Sequence, residues 1–223
     1  MFREAEGMAE ANDNRKHADI DHVTEKLKLH RPGILGEQTF KKNSVLVPLV
    51  TTEEGKMAVL FTKRAASLRR QAGEICFPGG HWEEDDRTEW NTALRETVEE
   101  LRVSPESIEY VGDLDIFVTP AGLIIYPFVG KVSATEPIHP NPDEVDSFFT
   151  VDLETLLSIQ PLIHHTRLKV EPAEDFPYHL VPNGEQYQWR TGTFPQYFYE
   201  IDGHVIWGLT ARILSHFLDV IRS

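Results

Sequence analysis

Between Glu89 and Leu101 the apolar residues Trp90, Ala93, Leu94, Val98 and Leu101 recur at steps of three and four, the spacing of a helix with one buried stripe. The same spacing joins Ile20, Val23 and Leu27 in a short helix behind a polar tail, and Ile213, Leu214, Phe217 and Ile221 in a last helix over 210–221. Elsewhere the apolar runs are short and rich in branched residues. Residues 44–50 and 57–62 flank Glu54-Gly55 and read as a hairpin, and 108–118 and 123–132 flank Thr119-Pro120-Ala121-Gly122 and read as another. Further strands are predicted at 75–77, at 147–151 and as a pair within 187–207 around Asp202-Gly203, with a helix over 153–159. Ser104-Pro105 ends the central helical run. Strands interrupted by one central and one terminal helix predict a mixed α/β plan, with a tail and helix over 1–40 followed by one domain over 41–223. The stretch 161–188 reads as an insertion in this plan. In it His164 and His165, between Ile163 and Leu168, read as exposed residues of an edge strand rather than as a metal pair.

With 223 residues, of which 40% are hydrophobic and 26% charged, the chain has the make-up of an ordinary globular domain with an appendage. The balance of 22 Lys and Arg against 36 Asp and Glu, net -14, argues against a general binder of nucleic acid, because polyanion affinity rests on cations that neutralise phosphates. No apolar run is long enough to span a bilayer, the acidic start lacks a signal-peptide pattern, and Ile221-Arg222-Ser223 is not a peroxisomal Ser-Lys-Leu address. The expected compartment is the cytoplasm. The single cysteine, Cys76, lies in the apolar run Ile75-Cys76-Phe77 and reads as a buried small residue.

On the central helix Glu96, Glu99 and Glu100 stand at i, i+3 and i+4 and therefore share one face. Glu96 and Glu100 repel by roughly 0.2 to 0.5 kcal/mol, and Arg95 to Glu99 is the weaker orientation of an ion pair, so helix stability does not explain the cluster. A hard divalent cation does, since Mg²⁺ or Mn²⁺ takes carboxylate oxygens and completes its shell with water and substrate phosphates. Ahead of the helix, Phe77-Pro78-Gly79-Gly80 brings backbone close to a ligand where a Cβ would obstruct it. Lys63, Arg64, Arg69 and Arg70 form the densest basic cluster of the chain, and guanidinium groups hold phosphate two-pronged. The competing readings are plain ones: a solvated acidic helix face, and cations that solvate a strand end.

These residues fit a known pattern. The segment from Gly79-Gly80 to Arg95-Glu96-Thr97-Val98-Glu99-Glu100 resembles the Nudix box of the Nudix hydrolases, G-x5-E-x7-R-E-U-x-E-E-x-G-U with U apolar. The loop is one residue longer than the pattern, with Asp86 in place of its first glutamate, Thr97 replaces an apolar residue, and Arg102 replaces the late glycine. Upstream, Leu60-Phe61-Thr62-Lys63-Arg64-Ala65, Arg69, Gly73 and Phe77-Pro78-Gly79-Gly80 resemble the signature of the coenzyme A diphosphatase branch, with only Phe61 departing. Asp143-Glu144-Val145 and Trp207-Gly208-Leu209-Thr210-Ala211 extend the resemblance over 44–223.

The resemblance implies an α/β/α sandwich and an enzyme that uses Mg²⁺ or Mn²⁺ to hydrolyse the diphosphate of coenzyme A or an acyl derivative. The products would be 4′-phosphopantetheine and adenosine 3′,5′-bisphosphate. It implies Glu96, Glu99 and Glu100 as metal ligands and Arg64, Arg69, Gly73, Phe77, Gly79 and Gly80 as substrate contacts, with Arg70 left on the surface. Arg95 would orient the glutamates, and Glu99, Glu100 and Glu144 compete for the role of general base. Hydrolysis of another nucleoside diphosphate derivative, such as ADP-ribose or a dinucleotide, is the alternative among enzymes. A non-catalytic module of the same fold is the alternative outside them, and the intact glutamates speak against it.

Overall fold

In β1 (Lys41–Thr51) and β2 (Met57–Arg64) the side chains alternate between two buried faces. Leu46, Ala58 and Leu60 lie on one side and Val47, Val59 and Phe61 on the other, all fully buried. Strands buried on both faces are central strands, so further elements must flank and cover them. The computed structural model describes residues 20–133 and 137–222. α1 (Ile20–Leu29) precedes the β1–β2 hairpin, and β3 (Ile75–Cys76), β4 (Gly79–His81) and α2 (Glu89–Leu101) follow it. Then come β5 (Ile108–Asp113), β6 (Phe117–Val118), β7 (Leu123–Val132), β8 (Val145–Asp152) and α3 (Leu153–Ser158). β9 (Leu162–Leu168), β10 (Gly192–Ile201), β11 (His204–Trp207) and α4 (Gly208–Arg222) complete the order.

The chain divides into two spatial units, Met1–Thr39 and Phe40–Ser223. In the first, α1 carries the apolar spacing of Ile20, Val23 and Leu27; the polar tail expected ahead of it lies outside the described residues. In the second, β1 pairs antiparallel with β2 and parallel with β7, the latter in register from Lys41 opposite Leu123 to Leu49 opposite Lys131. β3 and β8 join β2, β4 joins β1, and β5 and β6 join β7, all antiparallel, so the sheet is mixed. On one face Ala93 and Leu101 of α2 pack with Leu46, Leu60 and Phe128. On the other, Leu214 and Phe217 of α4 pack with Val47, Phe61 and Ile125, together with Tyr199 and Ile206 from the second sheet, β11-β10-β9. Helix, sheet and helix form an α/β/α sandwich. No described helix is long and apolar enough to cross a membrane.

Three expectations change in detail. The strand expected over 108–118 carries a bulge between Tyr110 and Gly112 and breaks at 114–116, where the Asp115 amide turns to His216 of α4. The pair expected within 187–207 starts at Gly192, and its outer partner is β9. Phe77 does not continue β3, because its ring turns into the core against Phe61, centroids 5.2 Å apart. His164 and His165 lie in β9, an edge strand whose residues are all exposed.

Candidate active site

α2 begins where the Thr88 side chain accepts the Asn91 amide at 3.2 Å, and it ends at Arg102, a left-handed residue with φ 52° and ψ 49°. The late glycine of the box falls at this position, and an arginine is held there by a hydrogen bond from Nη2 to Asn141 Oδ1 at 2.9 Å. Thr97, at the apolar position, is fully buried and returns its hydroxyl to the Ala93 carbonyl.

The loop before α2 folds so that Asp86 is buried beneath Arg95. Its carboxylate accepts Arg95 Nε and Nη2 at 3.1 and 3.0 Å, the Thr92 hydroxyl at 2.9 Å and the Glu83 amide at 3.0 Å. The Arg95 guanidinium holds the Asp86 carboxyl down at about 2, against the opposing effect of burial. The other Arg95 donors reach the His81 carbonyl at 3.0 Å, Glu96 Oε1 at 3.0 Å and Glu99 Oε2 at 3.4 Å. Every guanidinium N–H is thereby engaged, which leaves none for a substrate. Arg95 is thereby held against Glu96 and Glu99, and Asp86 anchors it rather than joining the glutamate cluster.

The three glutamates differ sharply in exposure. The Glu99 side chain is 51% exposed and that of Glu96 16%, while Glu100 is 4% exposed. Burial raises the Glu96 carboxyl above its usual range, with Arg95 pulling back and Glu99 and Glu144 pushing further. Burial first, and then the charge of Glu96, pushes Glu100 up to about 8; Glu144 adds to the rise, while Arg64 and the Gly79 amide oppose it. Glu100 Oε2 is buried without a hydrogen-bond partner. Gly79 and Gly80 lie directly over this group. A Cβ on Gly80 would run into the Glu96 carboxylate, and one on Gly79, at φ 152°, into the Ser44 carbonyl and Val45.

The remaining expected residues divide. Arg64 is drawn to the cluster: it opposes the Glu100 charge, and its Nε is buried and unpartnered. Glu144 is brought to Glu96 and Glu100 from the loop before β8. Arg69 and Arg70 are exposed on the loop after β2, and Lys63 is paired with Asp146 at 3.0 Å across β2 and β8. Gly73, with φ +74°, shapes that loop and donates its amide to the Arg64 carbonyl at 3.1 Å, so its part is conformational. Phe77 is 4% exposed and stacked in the core, so as a substrate contact it is corrected to a core residue. Cys76 is held by the Thr62 hydroxyl at 3.3 Å, and burial pushes its thiol up to about 11.

Asn141 was not singled out by sequence, although it ties the cluster together. Its amide donates to the Glu100 carbonyl at 2.8 Å, its Nδ2 to Glu144 Oε1 at 3.3 Å, and its Oδ1 accepts Arg102. The Asn141-Pro142 dipeptide is a turn signal that could have drawn attention to it, but not to what the turn touches.

Among the described residues no three His, Cys, Asp or Glu side chains stand together so as to hold a metal ion, and Arg95 draws Glu96 and Glu99 to itself. The donors nonetheless suit a hard cation. They are carboxylates only, two of them disfavoured as anions by burial, with one buried oxygen that lacks a partner.

Residues 41–172 match the family model of the NUDIX domain. The chain is 32% identical over 182 residues to an uncharacterized Nudix hydrolase, NudL, of Photorhabdus laumondii, covering 80% of this chain and 84% of that one. It is 36% identical over 138 residues to the peroxisomal coenzyme A diphosphatase NUDT7 of Mus musculus, covering 62% and 57%. A solved MutT/nudix family protein from Enterococcus faecalis aligns over 94% of this chain and 72% of its own, at 17% identity and a TM-score of 0.47.

Proposed function

The chain belongs to the Nudix hydrolase family, in the branch of the coenzyme A diphosphatases, and acts on phosphoanhydride bonds of nucleoside diphosphate derivatives; on that premise we propose that its substrate is coenzyme A or an acyl-coenzyme A. The diphosphate is cut to 4′-phosphopantetheine and adenosine 3′,5′-bisphosphate, with the cytoplasm as the setting. The observation that carries the chemistry is the buried, unpartnered carboxylate oxygen of Glu100 beside Glu96, under the Gly79-Gly80 turn. The substrate rests on the run from Leu60 to Gly80 and on the relative named as a coenzyme A diphosphatase.

Glu96 and Glu100, with the exposed Glu99, would hold Mg²⁺ or Mn²⁺, which when bound neutralises charge on the diphosphate and acidifies water. Arg95, anchored on Asp86, keeps Glu96 and Glu99 aligned between turnovers. Gly79 and Gly80 let the diphosphate approach the backbone, and Arg64, drawn to Glu100, meets its charge, with Arg69 adding a cation from the exposed loop. Glu144 takes the proton of the attacking water as one P–O bond forms and the bridging P–O bond breaks. Its carboxylate interacts with those of Glu96 and Glu100 and is steadied by Asn141.

Mass analysis after incubation with coenzyme A and Mg²⁺ or Mn²⁺ tests the proposal. The two named halves are expected, one carrying an oxygen from labelled water. Intact coenzyme A beside consumption of ADP-ribose or a dinucleotide would transfer the assignment to those substrates.

A further inference from the structure

Every polar atom of Asn141 is engaged, and the partners lie at the end of α2 and around the start of β8. Its backbone N–H donates to the Glu100 carbonyl at 2.8 Å, one of the last carbonyls of α2, which find no partner within the helix. Its own carbonyl accepts the amides of Glu144 at 3.0 Å and Val145 at 2.8 Å, and the Glu144 carbonyl in turn accepts the Ala65 amide at 2.8 Å. The backbone thus joins the helix end that carries Glu100, the loop that carries Glu144 and the strand end that carries Arg64. What this backbone does not fix is the side-chain amide, whose oxygen and nitrogen ends have the same shape and opposite hydrogen-bonding character.

Arg102 fixes it. A guanidinium donates and never accepts, so the end of the Asn141 amide that meets Arg102 Nη2, at 2.9 Å, has to be the oxygen. The Asp143 amide is a second, longer donor to that oxygen, at 3.4 Å. With Oδ1 turned to these donors, Nδ2 faces Glu144 and donates to its Oε1 at 3.3 Å. An exchanged amide would set its oxygen against the carboxylate and its nitrogen against the guanidinium, two repulsive contacts in place of two attractive ones. Arg102 stands in left-handed backbone, φ 52° and ψ 49°, where glycine is at ease and a residue with a Cβ is not. The helix end alone would favour glycine there, and what the arginine adds is its contact with Asn141.

We propose that Arg102 and Asn141 form a clamp that positions Glu144 for catalysis: Arg102 sets the direction of the Asn141 amide, and the amide holds one oxygen of Glu144 so that the other is presented to the attacking water. Both are positioning residues. The inference rests on the reading of Glu144 as the base, and it does not depend on which diphosphate is the substrate. A glutamate on a loop has freedom at each of its side-chain torsions, and a base works only within hydrogen-bond reach of the proton it takes, so a single directed donor decides how often it stands there.

Steady-state kinetics at saturating metal, on whichever diphosphate the wild type turns over, test the clamp, with melting temperatures measured alongside. Asn141→Asp keeps an oxygen for Arg102 and replaces the donor to Glu144 by a second oxygen; kcat is expected to fall about ten- to a hundredfold with KM little changed. Arg102→Gly is expected to lower kcat about three- to tenfold, less because the Asp143 amide still holds Oδ1, while melting close to the wild type. Arg102→Lys keeps a donor and should recover part of the loss. Once Asn141 is replaced by alanine, Arg102→Gly should lower kcat no further, since the two act through one contact. An Arg102→Gly enzyme with wild-type kcat, an equal loss from Arg102→Gly with and without Asn141, or losses of kcat that merely follow the melting temperature each overturn the proposal. Glu144→Gln tells the two readings apart. A large loss of kcat there beside an unaffected Arg102→Gly enzyme leaves the base in place and removes the clamp, whereas wild-type kcat in Glu144→Gln removes the base and the clamp together.

Discussion

At the scale of single residues, two carboxyl groups on either side of Arg95 are displaced in opposite directions, and each carries its own pH dependence. Glu100 is raised from 4.5 to about 8 by burial, so the stability tied to its neutral form is full below the ordinary carboxylate range and is lost as pH rises through 8. Metal-free protein is therefore expected to melt at a falling temperature from about pH 4.5 to about pH 8. Glu100→Gln should flatten that slope while abolishing turnover at saturating metal; parallel slopes in the two proteins would remove the assignment. Asp86 is lowered from 3.8 to about 2, so its contribution is complete above the ordinary range and fades as pH falls through 2. Asp86→Asn is expected to destabilise the fold at neutral pH by about 3 kcal/mol and to lower kcat, since Arg95 then loses the group that aims it; denaturant titration at pH 7 measures the first and steady-state kinetics the second.

At the scale of elements, the short strand β4 between β3 and α2 is where backbone and chemistry meet, and its two glycines are needed for different reasons. A Cβ on Gly79 meets backbone of β1, which cannot step aside, whereas one on Gly80 meets the end of the Glu96 side chain. Gly79→Ala is expected to cost about 1–3 kcal/mol of stability, as overpacking in a fixed core does. Gly80→Ala should instead melt close to the wild type but lose most of its activity, because the Glu96 carboxylate is pushed from its place beside Arg95. Equal losses of stability in both variants would show that the strand is only structural. The span of the central helix, Glu89–Leu101, was readable from its apolar spacing, whereas its Thr88 cap and the hold of Asn141 on Arg102, where the box has glycine, came from the structure.

At the scale of the molecule, both cores are built from residues between Leu46 and Leu218. On that ground we propose that the catalytic domain is complete without the first unit, and a chain starting at Phe40 is expected to melt within roughly 2 °C of the full one and to keep its kcat. Loss of cooperative melting on this truncation would contradict it.

The sequence alone determined what is local. Periodicity placed most helices and strands, the i, i+3, i+4 spacing put Glu96, Glu99 and Glu100 on one helix face, and fixed spacing from Leu60 to Glu100 pointed to metal and diphosphate, because these depend only on neighbours along the chain. Tertiary structure decided everything that depends on neighbours across it. The parallel β1–β7 pairing, Asp86 under Arg95, Glu144 drawn to Glu100 and Phe77 in the core all join residues that no short-range period connects. The difference between three similar glutamates was settled there too, since burial separates Glu100 from Glu99 and burial is a property of the packed fold.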